Sequence, residues 1–469
     1  MPLAESPSAE TAAELADRNG AGVPSRREAV SGWGGGVRRQ VTKLLPASAE
    51  QAVHALDRAR AMASVRTGLI ARGMGRAYND AAQRGGGVVI ETTAMRRFEL
   101  DASRGTVTAE AGVTLGELLA GLVPQGWVVP VLPGTQHVSV GGAIASDIHG
   151  KNHGVDGAFG AHVEALTLLT AAGELLELEP GDPDGVFAAT LGGMGLTGIV
   201  VRARIRLRPV RSAMLSVDTD RVGDLDAALA ALQAPGGRHR VAWLDLLGPR
   251  PGRGIVTRAE HVAAGPATPD ATVRARATVP PLFPSALLRA ATVAAFNELR
   301  FRAAPRCARG TLEGLGAHMF PLDGLTAWPR LYGAKGFVQY QLVVPYGQER
   351  ALHDLIGRLR RARVPCYLAV LKDFGPAGAG PLSFPIPGWT LALDMPRRAP
   401  CLEAVLREFD ELVAAAGGRV YLAKNPWIRP DALDAMYPRL AEWRAVRDRV
   451  DPERLWRSDM AVRAGLVAP

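Results

Sequence analysis

Residues 133–150 read PGTQHVSVGGAIASDIHG, and two features of this stretch govern the reading of the chain. Its glycines Gly134, Gly141 and Gly142 permit tight turns and bring backbone N–H groups close to an anion. Its end runs into HGKNH, so His149, Lys151 and His153 crowd together behind an apolar segment. Histidines four residues apart have metal-ligand spacing on a helix. Gly150 and Asn152 disfavour a helix there, and the glutamate of the zincin pattern is missing, so no metal site is expected.

A second glycine loop, ARGMGRAYND (71–80), sits between two short predicted strands, GLIARG and VVIET. Two such loops in one half of a chain can hold the phosphates and flat ring of one cofactor, or can be ordinary turns; local physics leaves both open. Gly193, Gly195 and Gly198 match G-x-G-x-x-G, but a dinucleotide fingerprint needs a strand before it and a helix after it. Here the strand IVVRARIRL follows, so only a turn that lets backbone approach a neighbour is read.

The surrounding elements are legible from periodicity. Ser48 and Gln51 have capping-box spacing at the start of a helix, and Thr114 and Glu117 repeat it. Leu115, Leu118, Leu119 and Leu122 then form a helical stripe. In IVVRARIRL, Arg202, Arg204 and Arg206 share one face of a strand and Val201, Ala203, Ile205 and Leu207 the other. VEALTLLTAAGELLELE reads as a hairpin turning at Ala172 and Gly173. After residue 211 strands such as RVAWLDLL, FVQYQLVVP and WTLALDMP alternate with helices, among them one with the stripe Leu402, Val405, Leu406, Phe409 and Leu412.

The chain therefore divides into a polar, disordered leader (1–28), a first domain (29–211), a second domain (212–417) and a C-terminal segment (418–469). Within the second, residues 249–310 are rich in arginine, alanine and proline with weak periodicity. They are expected to form a mobile lid or insert. VPPLFPSALL (279–288) inside it is either a satellite core element or a patch that touches a membrane or covers the site.

Composition narrows the class. Of 469 residues 47% are hydrophobic and 22% charged, and the net charge is +9. No run of 18 apolar residues predicts a membrane-spanning helix, and the N-terminus lacks the form of a secretory signal. Cys307, Cys366 and Cys401 are too scattered for a metal site or a disulfide framework. The basic balance favours phosphates or acidic lipids. Without a dense basic block carrying interleaved aromatics, nucleic-acid binding is not expected.

The two loops, taken with GLTGI, FVQYQLVVP, PLSFPIPGW, YLAK and DPERLWRSDMA in that order, resemble the vanillyl-alcohol-oxidase-like oxidoreductases with the PCMH-type FAD-binding fold. Within them the pattern is similar to the family of decaprenylphosphoryl-β-D-ribose 2′-oxidases, over about residues 30–465. The resemblance implies an α+β, two-domain architecture with a substrate domain of antiparallel sheet flanked by helices, and a C-terminal segment that returns to the FAD domain. It implies FAD held by Arg72, Gly73, Met74, Gly75, Arg76, Ala77, Tyr78, Asn79, Asp80, Gly134, Ser139, Gly141, Gly142, Ser146, Asp147, His149, Ile199 and Tyr421. Many relatives attach FAD through a histidine where this chain has Arg76, so non-covalent FAD is expected.

The same resemblance implies oxidation of a secondary alcohol, the ribose 2′-hydroxyl, with hydride passing to the flavin and the hydroxyl proton to Lys424, His149 or Lys372. Such a base typically contributes ~10²–10⁴-fold. Lys151, Gln339, Gln341, Phe374, Thr390 and Ala392 are implied on the substrate side. Ala392, Ser146 and Thr390 depart from familiar members; Ala392 replaces a cysteine that covalent inhibitors attack. The implied partners are a polyprenyl-phosphoryl sugar lipid, an NADH-dependent keto-reductase that completes the epimerisation for cell-wall arabinan synthesis, and a quinone or oxygen as electron acceptor. The inner-membrane surface is the expected location; the sequence leaves its face open, and family resemblance points to the periplasmic one. Rival readings are a soluble sugar-alcohol or aldonolactone oxidase on the same fold and a flavoprotein scaffold without catalysis.

Overall fold

The computed structural model describes residues 22–63, 67–263, 271–281, 283–284 and 287–467. Two small sheets and a two-stranded ribbon, Trp127–Val128 with Arg208–Pro209, build the first half. Strands Ser25–Val30, Arg39–Leu44, Val88–Glu91 and Leu69–Arg72 form one, in that spatial order. Phe98–Asp101, Thr106–Glu110, Ile199–Arg206, Val163–Leu169 and Leu175–Leu178 form the other, all antiparallel. Both expected caps are present: the Ser48 hydroxyl accepts from Gln51 N at 3.2 Å, and Thr114 and Glu117 make the full reciprocal box. The arginines of Ile199–Arg206 face outward, while Val201, Ala203 and Ile205 are buried.

The second half is one eight-stranded antiparallel sheet. Its order is Cys307–Gly314, Met214–Val222, Arg253–His261, His239–Asp245, Leu368–Phe374, Gly388–Pro396, Phe337–Pro345 and Arg419–Val420. Helices Leu225–Gln233, Glu349–Arg361 and Leu402–Ala415 bury their apolar stripes against one face of it. The opposite face looks toward the first half.

Two expectations need correction. The leader does not extend to residue 28, because Ser25–Val30 pairs with Arg39–Leu44. Alternation puts Glu28 over Lys43 at 2.7 Å while Val30 is buried; residues 1–21 lie outside the described residues.

The described part of the stretch 249–310 is not a loose lid either. It contains an interior strand (Arg253–His261), a helix (Ala290–Ala303) and the start of the edge strand Cys307–Gly314. Its periodicity is hidden by buried arginines: Arg253 pairs with Asp245 at 2.8 Å and Arg258 with Asp220 at 2.9 Å. The helix is pinned through Asn297 Nδ2, which donates to Asp245 at 2.9 Å, and through Glu298 to Arg253 at 2.5 Å. Phe296 and Leu299 stay exposed on it, which removes the amphipathic signal.

Candidate active site

A cavity of about 680 Å³ lies between the first half and the open face of the large sheet. The two glycine loops wall one side. A Cβ on Gly73 would meet Ser139 Oγ at 2.2 Å, so only glycine allows the loops to approach this closely. Gly75 takes φ +62°, which turns the chain back over the Arg72 guanidinium. Gly134 borders open space. Arg76 lies over the Trp33 ring at 3.8 Å, and its Nε has no hydrogen-bond partner. A cradle without side chains beside a desolvated cation fits a cofactor that carries phosphates.

Arg72, Gly73, Met74, Gly75, Arg76, Ala77, Tyr78, Gly134, Ser139, Gly141, Gly142, Ser146, His149, Ile199 and Tyr421 reach the cavity wall, as their assignment requires. Asn79, Asp80 and Asp147 do not. Asn79 is buried, and its Nδ2 donates to Leu422 O at 2.7 Å and Asn425 O at 2.8 Å. With Tyr78 N donating to Ala423 O at 2.9 Å, it clamps the turn that carries Lys424. Asp80 pairs with Arg463. Asp147, at φ +39°, accepts from Gly160 N at 2.8 Å and from the Ser383 hydroxyl at 2.5 Å. It therefore ties DIHG to PLSFP.

On the sheet side Lys151, Lys372, Lys424, Gln339, Gln341 and Ala392 line the cavity; Phe374 and Thr390 stand behind it. Phe374, Phe384 and Tyr421 box the His149 ring at centroid distances of 4.8, 5.6 and 5.3 Å. Thr390 donates its hydroxyl proton to Leu342 O at 2.8 Å, so its oxygen must accept from Gln341 Nε2 at 2.9 Å. That fixes the Gln341 amide. Its NH₂ then also donates to His149 Nε2 at 2.9 Å, and its oxygen accepts from Lys424 Nζ at 2.7 Å. The His149 proton is thereby assigned to Nδ1, which is buried without a partner.

Burial lowers every amine in the cavity, because the charged form loses water. Lys424 and Lys151 fall to about 7 and Lys372 to about 8. Lys372 repels the charge on Lys424, while Asp394 favours it. Asp394 is itself raised to about 7 by burial; one oxygen accepts from Gln339 at 2.5 Å and the other has no partner. His149 is driven well below its usual value by burial, then by Lys372 and Lys424.

Several wall residues have no counterpart in the sequence-based expectations. Met194, Gly195 and Gly198 make the G-x-G-x-x-G turn a third glycine wall. Trp33, His318, Asp323, Trp243, Val370 and Asp394 surround or support the cavity. Asp323 holds the second glycine loop by accepting from Gln136 N at 2.8 Å. One signal was available for the amines. The chain has fifty arginines and five lysines, and three of the five line this cavity. A guanidinium does not titrate near neutrality and an amine can.

Fold and site together define an FAD-binding oxidoreductase of the PCMH type. Residues 43–179 match the FAD binding domain, and residues 392–464 match the D-arabinono-1,4-lactone oxidase family. The solved structure of a wild-type BBE-like 1 protein from Physcomitrella patens shares the fold, with a TM-score of 0.65 and 15% identity over 89% of this chain and 90% of that one. The decaprenylphosphoryl-β-D-ribose oxidase of Mycolicibacterium smegmatis is 39% identical over 95% of this chain and 99% of its own length. An uncharacterized Streptomyces coelicolor protein is 41% identical over 76% of this chain and its full length. The chain belongs to the decaprenylphosphoryl-β-D-ribose oxidase family.

Proposed function

We propose that this chain oxidises the 2′-hydroxyl of a polyprenyl-phosphoryl ribose to the ketone, with FAD held non-covalently between the glycine loops. The observation that carries this is the Lys424–Gln341–His149 chain of hydrogen bonds, on the same cavity wall as the cofactor loops. FAD bound there supplies the hydride acceptor for the alcohol carbon. The protein must take the hydroxyl proton and hold the sugar within reach.

Lys424 is the base. Burial brings its amine down to about 7, so free amine is present at neutral pH. His149 is not available: its Nε2 lone pair faces the Gln341 amide, and its Nδ1 faces the aromatic box. It serves as a neutral anchor that positions Gln341 and so Lys424. Lys151 and Lys372 lie where they can hold the phosphodiester.

The lipid has to be drawn from a membrane. Phe296 and Leu322 are exposed at the cavity wall, and Leu287, Leu299 and Leu312 are exposed elsewhere on the surface of this half. Residues 271–312 carry seven arginines and one glutamate. An anionic bilayer surface suits such a mixture, and the inner-membrane surface is the location this favours. A separate NADH-dependent keto-reductase would take the ketone, and a quinone or oxygen would reoxidise the flavin.

The match of residues 392–464 to a lactone oxidase family favours a second reading, a soluble sugar or lactone oxidase. The likeness to L-gulonolactone oxidase of Scyliorhinus torazame covers only 29% of the chain, at 31% identity. Anaerobic mixing of the yellow protein with decaprenylphosphoryl-ribose, with polyols and with aldonolactones decides between them. Bleaching by the ribolipid alone supports the first, bleaching by polyols or lactones supports the second, and a colourless protein that takes up no FAD overturns both.

A further inference from the structure

The floor of the cavity is one row of side chains that crosses five strands. Backbone register aligns Gln341 with Ala392, Ala392 with Val370, Val370 with Trp243 and Trp243 with Ile255. Cross-strand partners share a face of the sheet, and all five residues line the cavity. Four strand spacings of about 4.8 Å make the row about 19 Å long. Its character changes along the way. It begins at the Gln341 amide beside Lys424, passes the small Ala392, and becomes wholly apolar from Val370 to Ile255.

The other face of the same strands is sealed. Ala242, Leu244 and Val256 are buried beneath helix Leu225–Gln233. On the cavity face Val241, Ile255 and Thr257 are only half-buried. Their roof is the helix Ala290–Ala303, which contributes Phe296, Asn297 and Arg300 to the wall. Arg300 lies 5.1 Å from the Trp243 ring, and Phe296 reaches solvent at the open end. Asn297 and Glu298 anchor this helix to Asp245 and Arg253, so the space beneath it is framed by fixed elements. The apolar stretch 279–288, read from sequence as a satellite core element or as a patch that touches a membrane or covers the site, supplies no wall residue among those described. Val279 is instead buried and hydrogen-bonded to Thr326, and Leu288 packs with the Trp328 cluster.

We propose that the row Ala392–Val370–Trp243–Ile255, roofed by helix Ala290–Ala303, is the binding groove for the isoprenoid chain of the substrate. The groove rests on the ribolipid reading above and adds where the lipid runs. A narrow floor, long in one direction and apolar beyond its first residue, asks for an extended hydrocarbon that needs no hydrogen bonds. The chain's polar end would lie at Lys372, which shares a strand face with Val370, and its far end would leave past Phe296 toward the bilayer.

The test uses the FAD-loaded full chain with Ile255→Glu, and separately Thr257→Trp, which fills the groove without adding charge. Two quantities are read: the affinity for decaprenyl phosphate and for geranyl phosphate, and kcat/KM on the decaprenyl and geranyl forms of phosphoryl-ribose. Either variant should weaken decaprenyl phosphate at least roughly tenfold, a change of about 1.4 kcal/mol, and lower the decaprenyl-to-geranyl ratio of kcat/KM by a similar factor. An unchanged ratio in both variants, with wild-type-like melting and flavin content, overturns the groove. If wild-type flavin is bleached by neither ribolipid, the functional reading fails. The groove then stands only if wild type still prefers decaprenyl to geranyl phosphate and the variants lose that preference, and it falls otherwise.

Discussion

Replacing Lys424 with arginine separates the two jobs a cation beside a flavin can do: carrying charge and accepting a proton. Burial brings the amine from 10.5 to about 7. Near neutral pH a substantial share of it is free base, against roughly one molecule in 3,000 for an unshifted amine at pH 7. The cavity thus raises the share of competent base by orders of magnitude. Arginine keeps the charge, cannot be deprotonated in this range, and still offers a donor to Gln341. Lys424→Arg should therefore slow anaerobic flavin bleaching by ~10²–10⁴-fold and abolish the rise in rate with pH centred near 7. Stopped-flow traces at 450 nm, from about pH 5.5 to about pH 9, read both. Lys424→Met supplies the stability control. Between about 7 and 10.5 the unfolded chain holds a proton on this amine that the native chain does not. Native stability from this group therefore falls as pH drops through that window, and the penalty is full below about 7. Stability of the methionine variant relative to wild type should rise as pH falls across the same window. An arginine variant within fivefold of wild type, with its pH limb in place, would refute Lys424 as the base.

Asn79→Ala leaves Leu422 O and Asn425 O without their donor. Since an unsatisfied buried group costs ~1–3 kcal/mol, the melting temperature should fall and turnover should drop with the loosened Lys424 turn. Gly198→Ala places a Cβ 2.4 Å from Leu169 O at φ +148°. Strain of ~1–3 kcal/mol should weaken FAD roughly 5- to 150-fold, read by fluorescence titration of the apoprotein. Arg253→Met removes the counter-charge of the fully buried Asp245, and chemical denaturation should show a loss of ~3–5 kcal/mol. Acid precipitation should leave the yellow colour in the supernatant, because Arg76 offers no bond to the flavin.

Much of this architecture was legible because its signals are local. The Thr114–Glu117 box, the alternating arginines of Ile199–Arg206 and the turn at Gly173 each depend on neighbours in sequence. What stayed hidden depends on partners far away. Arg253 and Arg258 read as surface residues until Asp245 and Asp220 come to meet them. Asn79 and Thr390 read as ligands of a bound molecule, yet their hydrogen bonds go to Leu422, Asn425, Leu342 and Gln341. The division of the first half into two sheets, and the cross-strand row from Gln341 to Ile255, follow from register, which no single segment encodes. The site was readable mainly through family resemblance. The physical cue beside it was the scarcity of lysine in an arginine-rich chain.

The clamp at Asn79 joins residues 343 positions apart. A ribosome that has made the nucleotide-holding loops has produced neither the amine meant to work beside them nor the turn that Asn79 grips. Competence for oxidation thus waits until the Lys424 turn has been made and Asn79 has closed on it.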